Sequence, residues 1–235
     1  MKFHNFKPYV KYGLSFIFIV SLVGTAYADT NQLVYYNWSA DTGNATFDNS
    51  GHGTNGINSG STTFILPTGK IARHFNGQNR ITVPNNAQLA FTDPHITFGV
   101  FFRYNSSNPT STYLVSKGNN AFRISIDRTN TMTYEVYADG NAIYAYSGSQ
   151  IQPNKDYEAI VTYDGSHAQL YINGVANGRG VDYTAAALGP SDITDNWTIG
   201  SSSDSAYGLK GTIYAFYLYN RTLNSSEMRF CQFRY

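Results

Sequence analysis

Two kinds of side chain in this 235-residue sequence could carry chemistry: oxygens gathered in a bent loop, and aromatic rings on polar segments. The run Asp48-Asn49-Ser50-Gly51-His52-Gly53 sets a carboxylate, an amide and a hydroxyl beside two glycines that let the chain turn back. Calcium takes several oxygen ligands from such loops, so Asp48, Asn49 and Ser50 are candidate metal ligands and calcium is the candidate cofactor. The competing role for Asp48 is a side-chain-to-backbone turn. The second set is Tyr207, beside Asp204 in a polar loop, with Tyr144 and Tyr146 on an alternating run. A tyrosine offers a flat apolar face to a sugar ring and a hydroxyl to its rim, which makes these three tyrosines, with Asp204 beside Tyr207, candidate ligand contacts. Tyrosines on strands also serve cross-strand packing.

Catalysis is harder to place. Glycoside hydrolysis needs two carboxyls, about 5–5.5 Å apart for retention and about 6.5–9.5 Å for inversion. The only glutamates are Glu135, Glu158 and Glu227. None is expected to share a strand face with another acid two residues away. Glu158 is expected on the hydrophilic, solvated side. His52, His74, His95 and His167 lack metal-site spacing, and no serine or cysteine sits in a nucleophile elbow.

Composition narrows the partners. Sixteen basic against fifteen acidic residues, with 13% charged, argue against nucleic acid, whose binding rests on clustered Lys and Arg. Lys2, Lys7 and Lys11, an apolar run over 14–23 and Ala26-Tyr27-Ala28 have the order of a secretory signal peptide, which predicts cleavage after Ala28 and a secreted, periplasmic or cell-surface location. The apolar run is shorter than the roughly 20 residues a bilayer span requires, and no span is expected in the mature chain. Residues 29–235 suffice for one large all-β domain. The single cysteine, Cys231, allows no internal disulfide; it is read as a small apolar residue, with a Cys231-linked dimer as the alternative.

The elements that must hold these residues are short strands. Residues 157–175 read as two alternating runs around Asp164-Gly165, a tight-hairpin signal. A two-residue loop there sets Tyr163 opposite Ser166, Val161 opposite Ala168, Ala159 opposite Leu170 and Tyr157 opposite Ile172, with the apolar sets on one face. A one-sided pair must lay that face on a second sheet. Short strands are expected over 71–75 and 80–83, joined by Asn76-Gly77. A central strand is expected around Ile96, Phe98, Val100 and Phe102, with Phe101 on its other face. Phe122, Ile124 and Ile126 alternate inward against Arg123, Ser125 and Asp127. A hairpin turns at Asp139-Gly140, a long strand apolar on both faces covers 211–219, and Asn224 with Glu227 forms a capping box. Trp38 and Trp197 are assigned to the core. Strands at this spacing give an all-β, two-sheet antiparallel sandwich or jelly roll.

The ordered set of Tyr36-Asn37-Trp38, Asp48 to Gly53, Phe75-Asn76-Gly77, Val83-Pro84, Ser116-Lys117-Gly118, Tyr163-Asp164-Gly165, Leu170 through Gly174, Ile199-Gly200 and Gly211 through Leu223 resembles the laminin-G-like, concanavalin A-like jelly-roll domains of bacterial exported proteins. The resemblance spans nearly the whole mature chain. It implies two antiparallel sheets face to face and a module that recognises carbohydrate or protein, often with calcium at a loop edge. Members place an Asp at the Asp48 position; a second family acid corresponds to Tyr214, and the family's Phe-Asp-Gly is Phe75-Asn76-Gly77. The Glu-x-Asp-x-Glu pattern of fold-related glucanases is absent. The expected role is non-catalytic recognition of a glycan. The alternatives are a protein-adhesion or self-associating surface component that binds a cell-surface protein, or a divergent glycan hydrolase or lyase.

Overall fold

The computed structural model describes residues 29–91, 93–105, 111–118, 122–188 and 194–228, so the proposed leader and Cys231 lie outside the described residues. Its strands, in chain order, are β1 (Gln32–Tyr36), β2 (Ala45–Thr46), β3 (Gly56–Ser59), β4 (Thr62–Ile65), β5 (Ile71–Asn76), β6 (Arg80–Val83), β7 (His95–Tyr104), β8 (Thr112–Lys117) and β9 (Phe122–Ile126). Then follow β10 (Thr131–Ala138), β11 (Asn141–Gln150), β12 (Asp156–Asp164), β13 (His167–Ile172), β14 (Val175–Ala176), β15 (Val181–Asp182), β16 (Trp197–Ile199) and β17 (Lys210–Tyr219). One sheet runs β14-β13-β12-β7-β17-β5-β4, with β1 on β17 and β15 on β13; the other runs β11-β10-β9-β8-β16-β6-β3-β2. All pairings are antiparallel, as the expected sandwich requires.

The inner faces meet in one core. Phe98, Val100 and Phe102 of β7 lie in the same buried cluster as Phe122 and Ile124 of β9 and Trp197 of β16. The Trp197 ring stacks on Phe122 at 5.6 Å and meets Phe98 at 5.5 Å. Trp38 is buried as well, so both tryptophans are core residues. β7 sits between β12 and β17, the central place its two apolar faces demanded.

The β12–β13 hairpin differs from expectation by one step of the turn. Tyr163 pairs with Ala168, Val161 with Leu170 and Ala159 with Ile172, so Gly165-Ser166 is the two-residue loop. Gly165, at φ +86°, takes the first loop position, where a type II′ turn wants glycine. Asp164 then works from outside the loop: its Oδ1 accepts from the Ser166 amide at 2.9 Å and the His167 amide at 2.7 Å. The partners shift by two residues, which preserves the alternation, so the apolar sets still share the core face. The β10–β11 turn matches expectation: Ala138 pairs with Asn141, and Asp139 and Gly140 both have positive φ.

Three other expectations are corrected. β5 and β6 are not a hairpin; β5 pairs with β17 and β4, and β6 with β3 and β16, so the Asn76-Gly77 corner carries the chain from one sheet to the other. β12 begins at Asp156, one residue earlier than drawn, which places Asp156 and Glu158 on one face of one strand. Glu158 is only 3% exposed, because the outer face of the first sheet is itself packed: Ile160, Tyr217, Tyr219, Leu223 and Met228 form a second buried cluster there. The end of that cluster is fixed by the expected capping box, in which Glu227 accepts from the Asn224 amide and Asn224 Oδ1 from the Glu227 amide.

Candidate functional site

The outer face of the second sheet gathers most of the predicted ligand contacts. Because Phe122, Ile124, Tyr134, Val136 and Ile143 point into the core, the residues between them point out. Register then aligns two rows across β8 to β11: Tyr113, Ser125, Thr133 and Tyr146 in one, and Ser116, Arg123, Glu135 and Tyr144 in the other. Three strand spacings separate the ends of each row, about 14 Å.

Aromatic groups stand at both ends. Tyr144 and Tyr146 meet edge to face at 5.0 Å and are 39% and 52% exposed. At the far end Tyr207 stacks on Tyr113 at 4.9 Å, with 16° between the rings. Arg123 bridges the two ends: its guanidinium lies 4.9 Å from the Tyr113 ring centre and 5.9 Å from that of Tyr144. It donates to the Tyr113 hydroxyl at 2.7 Å and pairs with Glu135 at 2.7 Å. Between the aromatic ends lies a floor of small hydroxyl residues, Ser125 and Thr133, joined at 2.5 Å. Burial, and then the neighbouring Tyr146 hydroxyl, push the Tyr144 phenol up to about 12.

Tyr207 reaches this surface through its loop. Ser202 Oγ accepts from the Ala206 and Tyr207 amides at 3.1 and 3.2 Å and donates to Asp204 Oδ1 at 2.5 Å. The Tyr113 amide donates to the Tyr207 carbonyl at 2.9 Å, which fastens the loop to β8. Asp204 therefore shapes the turn that delivers Tyr207; its carboxyl is held low first by the Ser202 hydroxyl and then by the Ala206 amide.

The Asp48 loop lies elsewhere, and its oxygens are already engaged. Asp48 Oδ1 accepts from the Tyr35 and Ser50 amides, both at 2.9 Å, while Oδ2 accepts from Ser50 Oγ at 2.7 Å and the Thr54 amide at 3.1 Å. Four accepted bonds fill the usual capacity of a carboxylate. Ser50 is buried as a donor, and Asn49 Oδ1 faces the Asn37 amide at 3.4 Å. Among the described residues no three acidic, histidine or cysteine side chains converge as a metal group. The loop as folded does not fit calcium, since a cation would have to displace the hydrogen bonds that shape it. Tyr214, at the family's second acid position, instead donates its hydroxyl to Asp156 at 2.7 Å and packs on Phe101 at 4.7 Å.

The acids stand as follows. Asp156 holds Arg103 in a two-pronged contact at 2.7 and 2.6 Å. Burial raises its carboxyl, but hydrogen bonds from Arg103 and Tyr214 outweigh that and hold it below the usual range. Glu158 accepts from the Tyr217 hydroxyl at 2.9 Å under the packed cluster. Glu135 is taken by Arg123, and Glu227 by Arg221 at 2.8 Å.

Sequence reasoning missed Tyr113, Arg123 and Glu135 as members of the surface. The signal was present for Arg123, whose outward alternation was read. Counting the short connection between β9 and β10 as a hairpin, held where Asp127 Oδ1 accepts from the Thr129 and Thr131 amides, would have set Arg123 opposite Glu135.

A family model described as Laminin_G_3, concanavalin A-like lectin/glucanases superfamily, matches residues 75–229. No curated protein matches the sequence. Among solved structures, the chain is similar to a Trypanosoma rangeli sialidase in complex with the inhibitor DANA, at 17% identity and TM-score 0.63, over 84% of this chain and 32% of that one. It is also similar to the binding domain of Paraclostridial Mosquitocidal Protein 1, at 18% identity and TM-score 0.62, over 87% of this chain and 52% of that one. The botulinum neurotoxin serotype D/C binding domain gives 12% identity and TM-score 0.64, with the same coverage. The chain thus spans about a third of the sialidase and about half of each toxin domain, and at these identities the likeness is one of fold.

Proposed function

This chain belongs to the concanavalin A-like lectin/glucanases superfamily, and on that premise we propose that it is an exported, non-catalytic module that binds a glycan on the outer face of its second sheet. One observation carries the reading: Tyr144 and Tyr146, open to solvent, are joined through Arg123 to the Tyr113–Tyr207 stack across a floor of hydroxyls. Rings spaced over about 14 Å suit a short oligosaccharide better than a single sugar. The part-exposed Arg123–Glu135 pair between them supplies the few polar contacts that fix orientation, while the Ser125 and Thr133 hydroxyls are buried and bonded to each other. The acids support the non-catalytic reading, since Asp156 is locked by Arg103 and Glu158 is covered. Among the described residues no helix is long and apolar enough to cross a membrane.

A glycan array run with the parent and a Tyr144→Ala/Tyr146→Ala variant tests this. Binding by the parent that the variant loses is the expected result. A variant that keeps every signal, or a parent that releases reducing ends from the bound glycan, contradicts it.

A further inference from the structure

Beside Tyr144 and Tyr146 a groove of about 480 Å³ opens between β11, an edge of the second sheet, and the loop that leads into β15 at the edge of the first. The loop is seated firmly. Asn177 Oδ1 accepts from the Gly148 amide at 2.8 Å, and the Asn177 amide donates to the Leu170 carbonyl at 2.9 Å. Glycines flank the next residue for steric reasons. A Cβ on Gly178, at φ +78°, would sit 2.1 Å from the Tyr146 carbonyl oxygen, and one on Gly180 would sit 2.2 Å from His167 Nε2. Those close approaches hold Arg179 at the groove beside Tyr146.

Arg179 is the unspent cation of this region: among the described residues its guanidinium has neither an ion-pair nor a hydrogen-bond partner. Asp182 lines the same groove without closing on it, because its Oδ1 is 2.6 Å from His167 Nδ1. A free guanidinium fork matches a carboxylate through two parallel hydrogen bonds. The exposed Tyr146 ring alongside offers an apolar face for the sugar that carries it.

We propose that this groove is an acidic-sugar subsite at the end of the glycan face, in which Arg179 takes the carboxylate of a uronic acid residue and Asp182 accepts from its hydroxyls. The inference rests on the glycan-binding reading above and narrows its ligand class.

The test compares an oligogalacturonate with its carboxyl-reduced form by calorimetric titration. The parent is expected to hold the acid form at least about tenfold tighter. Arg179→Ala should erase that preference with an unchanged melting temperature, and Arg179→Lys should keep part of it. Asp182→Asn, which removes an opposing charge, should strengthen acid binding. Equal affinity of the parent for both forms, or a preference that survives Arg179→Ala, overturns the subsite and leaves glycan recognition standing. A parent that binds neither of these, nor any glycan on the array, overturns both.

Discussion

The two outer faces of the sandwich use the same residue type to opposite ends. On the first sheet Tyr217 and Tyr219 lie in a buried cluster with Ile160, Leu223 and Met228, and the Tyr217 ring covers Gly99 so closely that a Cβ there would sit 2.5 Å from it. Its acids are engaged as well, Glu158 by Tyr217 within that packing and Asp156, about two-fifths exposed, by Arg103 and Tyr214. On the second sheet the tyrosines stand at the ends of a polar floor, and two of them are open to solvent. An aromatic residue on an outer face is therefore a structural part or a recognition part according to whether another segment covers it. Strand alternation does not contain that information.

This contrast is sharpest where stability and binding can be separated. Tyr217→Ala is expected to cost about 3–5 kcal/mol in urea unfolding, the range for removing a buried aromatic ring, and to leave affinity per folded molecule unchanged. Gly99→Ala on the same face should cost about 1–3 kcal/mol, since the added methyl must push the Tyr217 ring away. The Tyr144→Ala/Tyr146→Ala variant should do the reverse, losing at least about tenfold in glycan affinity with a melting temperature within a few degrees of the parent. Equal effects of these variants on both properties would erase the distinction between the faces.

Acid pH probes the partly exposed Arg103–Asp156 pair of the first sheet more gently. The Asp156 carboxyl is held below its ordinary value in the folded state, so its contribution is present in full above the unfolded value near 3.8 and is lost as pH falls through the lower folded one. Asp156→Asn should flatten the stability profile below about pH 4, by a small amount because Arg103 and Asp156 are each about two-fifths exposed. The smallest effect is expected at the Asp48 loop, where a chelator should leave the melting temperature unchanged; a rise on adding calcium would show that the loop can exchange its hydrogen bonds for a cation.

The architecture was legible because turn chemistry and alternation agreed. Asp139-Gly140, the Asn224–Glu227 box and the doubly apolar β7 and β17 all appear where the residues indicated. Legibility failed where a local signal served a distant partner. Asn76-Gly77 turns the chain between sheets, and β4, exposed along its length, carries no core pattern to announce it. Tyr144, Tyr146 and Tyr207 could be named as candidates one at a time. Arg123, Glu135 and Tyr113 join them only through pairing across four strands, which no single segment encodes.

The most direct test is amide chemical-shift mapping with the tightest glycan from the array. The account predicts changes concentrated at residues 113, 123, 125, 133, 135, 144, 146 and 207, with residues 99, 158 and 217 still. Perturbations centred on the outer face of the first sheet, around Asp156 and Glu158, would contradict it and transfer the site to the acidic strand.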